Sequence, residues 1–421
     1  QELVRKNILN PYHDRSDGGL ITTLIEMAFV SNMSVDLKNI SKKSKTELIR
    51  FLFNEELGGI FAIDKKYEKE FIKLTRKYNL EAITHNIGDI TKKGKPMLKI
   101  TACNYSEPIS KLRKYWSELS YLIQSERDNK KTALSEYNAK INSHQTNQEH
   151  LIPKLHYRVS GISKKYLNKK NKPKIAIFRE QGVNGHKEMA NAFNLAGFDC
   201  YDVNTNDVIA NPALLNEYHG LVACGGFSYG DVLGAGRGWA NKIKYNHDAL
   251  NSLSKFFSDK NKFTLGVCNG CQMLSNLQSI IPASKHWPKF IKNNSNQFEA
   301  RQVLVKIPKS NSMLFKDMHK SILPIIVSHG EGKISIKNKS SIKKAIMQYV
   351  DTTGKYTEEY PYNPNGSLNG VTGFCNNDGR INIMMPHPER LTHINNFSWA
   401  PEEWKLSPWL KLFNNAREWI N

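Results

Sequence analysis

The sequence predicts an α/β fold in its second half, a parallel sheet with helices on both faces, preceded by a separate and differently patterned region. Two observations carry this. From Pro173 onward, short apolar strands alternate with helical segments, which implies crossover connections and a parallel sheet. Each strand also ends in a loop rich in glycine or polar residues, and in such sheets reactive groups gather beyond the carboxyl ends of the strands.

The elements follow in order. Leu20, Ile21, Leu24, Ile25, Ala28 and Phe29 recur at helical spacing. Gly58-Gly59 introduces an apolar strand at Ile60-Phe61-Ala62-Ile63. Residues 108–140 are charged and helical in character, and 142–172 are polar and lysine-rich, a pattern that predicts a linker. Ile175-Ala176-Ile177-Phe178 is a buried strand, followed by the loop Glu180–Gly185 and a helix through Met189, Phe193 and Ala196 that Gly197 closes. Phe198–Val203, Gly220–Cys224 and Phe263–Val267 are further strands, and a helix starts soon after the last.

Composition bounds the function. The 421 residues are enough for two or three domains, and no apolar run is long enough to span a bilayer. The start has no signal-peptide core, and a first residue of glutamine predicts a fragment or a processed chain. Six cysteines spread over this length do not make a disulfide scaffold, so a reducing cytoplasm is the expected location. The net charge of +21 is distributed along a chain crowded with Lys, Asn and Ile, without a nucleic-acid motif. It reads as solvated basic surface, with no nucleic acid or membrane as partner.

Gly266-Val267-Cys268-Asn269-Gly270 has the form of a strand-to-helix elbow. The turn is sharp, so side chains two residues to either side of the nucleophile would clash. The following helix directs its free N–H groups at the thiol, which favours thiolate, and the Asn269 N–H would face an oxyanion. Two plainer readings compete: Cys268 and Cys271 as a redox pair or half a metal site, and either as a buried structural thiol. No second Cys-x-x-Cys completes a zinc site.

Pro386-His387-Pro388-Glu389-Arg390 follows the apolar strand Ile381–Met385. The prolines are expected to hold this segment extended, with Glu389 on the same side as His387, where a carboxylate would fix the imidazole tautomer. Taken alone, the segment reads as a surface histidine in a proline turn. Gly225-Gly226, after the third strand of the second half, would let backbone N–H groups approach a ligand closely, or would simply form a tight turn.

Together, the Gly-Gly loop, Gly-x-Cys-x-Gly and His-Pro-Glu, in that order, resemble a class I glutamine amidotransferase. Longer strings are similar to the phosphoribosylformylglycinamidine synthase family: Phe178–Asn184, Gly225–Asp231, Gly266–Met273, Val327–Gly332 and Pro386–Arg390. At the front, Tyr12–Leu20 and Phe53–Gly58 resemble the last part of the synthetase region in the large single-chain form. The resemblance implies a flavodoxin-like amidotransferase domain at 173–421, a linker at 142–172, and at 1–141 the C-terminal part of an α+β, AIR synthase-like synthetase region. It implies Cys268, His387 and Glu389 as the catalytic triad, and Gly226, Phe227 and Asn269 as oxyanion or substrate contacts. It further implies Asp14 as a Mg²⁺ ligand and Ser16 as an ATP contact; the plainer reading there is Asp17 as a helix cap. The expected partners are glutamine, formylglycinamide ribonucleotide and the remaining synthetase region, with ATP and Mg²⁺ as cofactors of the complete enzyme. The rival readings are a free-standing glutaminase subunit of another amidotransferase and a catalytically idle binding module. Arg237 stands where the family pattern has an acidic residue, and the linker matches poorly.

Overall fold

The computed structural model describes residues 1–40, 44–142, 153–336 and 338–420. The chain divides into two compact units, Gln1–Arg127 with Glu136–Asn147, and Asp128–Ser135 with Gln148–Asn421.

In the first unit the predicted amphipathic helix spans Gly19–Ser31 and buries Leu20, Leu24, Ala28 and Phe29. These side chains share a core with Val35 and Leu98 of a four-stranded sheet and with Ile109, the first residue of the helix Ile109–Arg127. The predicted strand at 60–63 forms as Gly59–Ile63 and pairs antiparallel with Leu9–Asp14. Asp17 does not cap the helix after it. Gly18 occupies that position with φ 80°, and its N–H donates to Glu55 Oε1 at 2.8 Å.

Of the expected linker, residues 143–152 lie outside the described residues. The part at 153–172 packs within the second unit: Lys154 bridges to Ile322, and Tyr166 is buried beneath the Arg417 guanidinium.

The second unit is built on one nine-stranded sheet. Five parallel strands run in the spatial order Asp199–Asn204, Lys174–Arg179, Gly220–Ala223, Phe263–Val267, Ile381–Met384. This is the flavodoxin-like order 2-1-3-4-5. Phe178 and Phe263 lie on opposite faces. Ile175 and Phe263 are both in register with Gly220, and Phe178 is three residues beyond Ile175. Accordingly Phe178 packs on Trp239 at 5.2 Å, whereas Phe263 stacks on Phe193, which meets Phe413 of the last helix at 5.1 Å. Helices thus cover both faces. All five residues of Phe263–Val267 are buried, each large apolar side chain contributing about 1.5–3 kcal/mol.

The sheet continues beyond Ile381–Met384 with four strands that the apolar pattern did not reveal: Val371–Cys375, Ala345–Tyr349, Glu299–Lys306 and Ile322–His329, all antiparallel to their neighbours. Ile322–His329 contains Pro324, which cannot donate to a ladder, and it lies at the sheet's edge, where proline is tolerated. Among the described residues no helix is long and apolar enough to cross a membrane.

Candidate active site

Phe263–Val267 and Ile381–Met384 are parallel neighbours, so their carboxyl ends emerge side by side. Cys268 leaves the first strand with φ 52° and ψ −109° and caps the helix Asn269–Asn276; its N–H still donates to Met384 O at 2.9 Å. A left-handed φ is strained for a cysteine, and the close packing around it holds the turn. A methyl group on Gly270 would lie 2.1 Å from the Ala223 carbonyl, and one on Gly266 would lie 2.6 Å from Leu274 Cδ1. The glycines at both ends of the elbow are therefore required by contact. The thiol is nearly buried and donates to the Ser328 carbonyl at 3.5 Å.

His387 leaves the second strand, its N–H donating to Ile326 O at 2.9 Å. Its Nδ1 meets Glu389 Oε1 at 2.6 Å, and both side chains are buried. The route differs from the sequence expectation. Pro388–Leu391 is not extended but forms a 3₁₀ turn with His387 at its cap. Proline is admissible in the first turn of a helix, where its missing N–H has no partner to lose. Glu389 reaches the ring by coiling back rather than by strand alternation.

Gly225 measures how close sulfur and ring come. A methyl group there would sit 2.6 Å from His387 Cε1 and 3.3 Å from Cys268 Cβ. Burial pushes the His387 pKa down, but the Glu389 carboxylate and Cys268 outweigh it and raise it to about 9. The site thus favours imidazolium next to sulfur and carboxylate. The second ring nitrogen, Nε2, is buried and makes no hydrogen bond to a described residue other than through this approach to Cys268.

The Gly-Gly loop wraps the same end of the sheet. The Gly225 carbonyl accepts from the N–H groups of Asn184 and Gly185. The Phe227 N–H, expected to face an oxyanion, instead donates to Gly182 O at 2.9 Å. Gly226 has φ 152°, and a methyl group there would collide with Val183 and Asn184. Asn269 is fully buried and clips the loop: its Oδ1 accepts from Ser228 N–H at 3.3 Å and its Nδ2 donates to Asp231 Oδ1 at 2.9 Å. As the first helical residue, Asn269 has no intrahelical acceptor for its own N–H.

Residues that the sequence strings contained without an assigned role complete the site. A cavity of about 220 Å³ is lined by Cys268, Asp231, Gln272, Ser328, His329 and Glu331, among others. Gln272 Nε2 donates to Glu331 O at 2.6 Å, and Glu331 Oε2 accepts from Ala235 N–H at 3.1 Å. Burial raises the Asp231 pKa, the Asn269 amide lowers it, and Glu331 raises it further. Burial, with His387 nearby, depresses the His329 pKa to about 3, so this ring is neutral. Their side chains are ordinary polar types spread over the Gly-Gly loop, the helix after Cys268 and the end of the strand Ile322–His329, and only their place in the matched strings could have singled them out.

Asp14 and Ser16 stand in the first unit, both exposed. Asp14 Oδ1 accepts from the Tyr12 hydroxyl. Among the described residues no three His, Cys, Asp or Glu side chains gather in a way that could hold a metal ion.

The chain is similar to several proteins of known structure. The structure of PurLQS from Thermotoga maritima is 22% identical, covering 59% of this chain and 98% of that one, with a TM-score of 0.44. A Thermoplasma acidophilum protein named for one component of GMP synthase is 16% identical over 60% of this chain and 96% of its own, with a TM-score of 0.37. A glutamine amidotransferase from Thermotoga maritima is 15% identical over 52% and 77%, with a TM-score of 0.32. Residues 1–100 match the model of the AIR synthase related protein, C-terminal domain. Residues 172–420 match the CobB/CobQ-like glutamine amidotransferase domain, and the chain belongs to that family.

Proposed function

We propose that this chain supplies the glutaminase half of a phosphoribosylformylglycinamidine synthase. That enzyme would amidate formylglycinamide ribonucleotide to formylglycinamidine ribonucleotide at the expense of ATP, in purine biosynthesis. The observation that carries the reading is the buried His387–Glu389 pair beside Cys268, in a chain that also matches an AIR synthase-related domain at its front. That second match favours a synthetase-linked enzyme over a free-standing glutaminase.

The thiolate of Cys268 attacks the side-chain amide carbon of glutamine, and the carbonyl electrons move to oxygen. His387 gives its proton to the departing nitrogen, and the intermediate collapses to a γ-glutamyl thioester with release of ammonia. His387 then takes a proton from water as the oxygen attacks the thioester carbon; the C–S bond breaks, glutamate leaves, and the thiolate and imidazolium are restored. Glu389 holds Nδ1, which leaves Nε2 for these transfers. The Asn269 N–H at the helix start suits the developing oxyanion. ATP, when bound, would supply the phosphoryl group that activates the acceptor amide. Ser16 is the residue of this chain that would contact it, and Asp14 would hold the Mg²⁺ that accompanies it.

The test joins the chain to the remaining synthetase region. Cys268→Ala should abolish glutamine-dependent amidation of formylglycinamide ribonucleotide and leave ammonia-dependent amidation intact. Survival of glutamine use would remove Cys268 from the mechanism. Failure of the unaltered enzyme with either nitrogen donor would remove the proposed acceptor.

A further inference from the structure

A second cavity opens at the far end of the helix that begins at Cys268. Gln278, just past the last turn of Asn269–Asn276, lines a space of about 660 Å³ together with Ile280, Pro282, Lys285, His286 and Lys344. No residue lines both this cavity and the one beside Cys268. The helix of 8 residues sets its two ends about 12 Å apart.

The charge of this wall is one-sided. Among the described residues no Asp or Glu lines it, and neither Lys285 nor Lys344, both exposed, makes an ion pair. The nearest acid in sequence to the lining residue Asn377 is Asp378, and its carboxylate is taken by Arg380 at 3.0 Å. Lys344 donates to Asn377 Oδ1 at 2.8 Å, which holds its ammonium at the cavity. Cations that share a concave wall without a counter-ion favour an anionic ligand.

The remaining groups narrow the ligand further. His286 is half-buried, and its Nε2 meets the Cys375 carbonyl at 2.9 Å. A carbonyl only accepts, so Nε2 carries the proton. Burial lowers the pKa of the ring, the carbonyl opposes this, and Lys344 lowers it again. The ring is therefore neutral and offers Nδ1 as an acceptor. Ile280 and Pro282 add apolar surface. The wall is fixed: Gln278 Nε2 donates to Trp287 O at 2.7 Å, and Asn376 Nδ2 to Pro282 O at 3.2 Å. Ala283 stands at φ 56° with its carbonyl accepting from Asn377 N–H, a left-handed conformation of the kind that collects at ligand clamps.

We infer that this cavity binds a phosphate monoester with a ring-bearing body, of the class of a mononucleotide. Lys285 and Lys344 take the phosphate, a sugar hydroxyl donates to His286 Nδ1, and the ring covers Ile280 and Pro282. The volume exceeds what inorganic phosphate alone would fill and lies in the range of small-molecule sites, about 300–1,000 Å³. The glutaminase chemistry uses none of these residues.

The test is isothermal titration calorimetry on the full chain at physiological ionic strength, where diffuse attraction to the basic surface is screened. The probes are adenosine monophosphate, adenosine and inorganic phosphate, each added to the unaltered chain and to Lys285→Gln and Lys344→Gln. Both substitutions change exposed side chains, and they tell binding here from binding elsewhere on the chain. Adenosine monophosphate should bind most tightly of the three, and each variant should weaken it about fivefold or more, as expected for loss of a charge-assisted hydrogen bond. Adenosine monophosphate binding that neither variant weakens, or none at millimolar concentrations, overturns the site. Inorganic phosphate binding as tightly as the nucleotide overturns the ring-bearing ligand, and adenosine binding as tightly overturns the role of the lysines.

Discussion

At the scale of single residues, the site turns on how one imidazole is charged. Desolvation alone would hold His387 neutral at physiological pH; Glu389 and Cys268 reverse this and bring it to about 9. The folded value exceeds the unfolded one near 6.5. The cluster's contribution to stability is therefore complete below the unfolded value and is lost as the pH rises through the folded one. Glu389→Gln removes the carboxylate's share. The His387 midpoint, followed through its ring resonances by NMR, should drop by about one to three units. Glutamine hydrolysis should fall at least about a hundredfold. An unmoved midpoint would show that Glu389 does not govern the ring. The sequence made this pair visible through the motif around His387, but not the geometry that joins it: Pro388 admits a first helical turn as readily as an extended chain.

At the scale of elements, the strand-to-helix turn around Cys268 is held by contact. Gly270→Ala would drive a methyl group against the Ala223 carbonyl, a backbone atom that cannot turn aside. We expect a loss of about 1–3 kcal/mol in denaturant unfolding; a neutral outcome would mean that the elbow can shift freely. The elements legible in the sequence were those buried on both faces, because Ile175–Phe178 and Phe263–Val267 read as unbroken apolar runs. Those that escaped notice obey other rules. Glu299–Lys306 mixes charged and apolar positions without regular alternation, and Ile322–His329 is interrupted by Pro324. Ser328, whose carbonyl accepts from the thiol, and His329, which lines the cavity, lie at the end of that second strand, so part of the site was hidden with it.

At the scale of the whole molecule, two hydrophobic cores share no residue. One is centred on the nine-stranded sheet and the other on Leu20, Leu24, Phe29 and Leu98. Calorimetry should accordingly resolve more than one unfolding transition, and Gly270→Ala should lower only the one that belongs to the larger core. A single transition shifted as a whole would show that the two cores melt together. The net charge of +21 was legible as composition but gave no site. Many of the basic groups meet exposed acids, such as Lys174 with Glu217 at 2.9 Å, in pairs that contribute little.

The adjacency of the cysteine and histidine strands reaches beyond this chain. Everything between Asn276 and Ile381 is an excursion that departs from one strand and returns to the one beside it. The connections between the four sheet strands of this excursion can be lengthened or shortened during divergence while both reactive groups stay where they are. The number of residues that separates them should therefore vary widely among descendants of a common ancestor, and a search keyed to that interval would overlook kin that a search keyed to neighbouring strand ends would find.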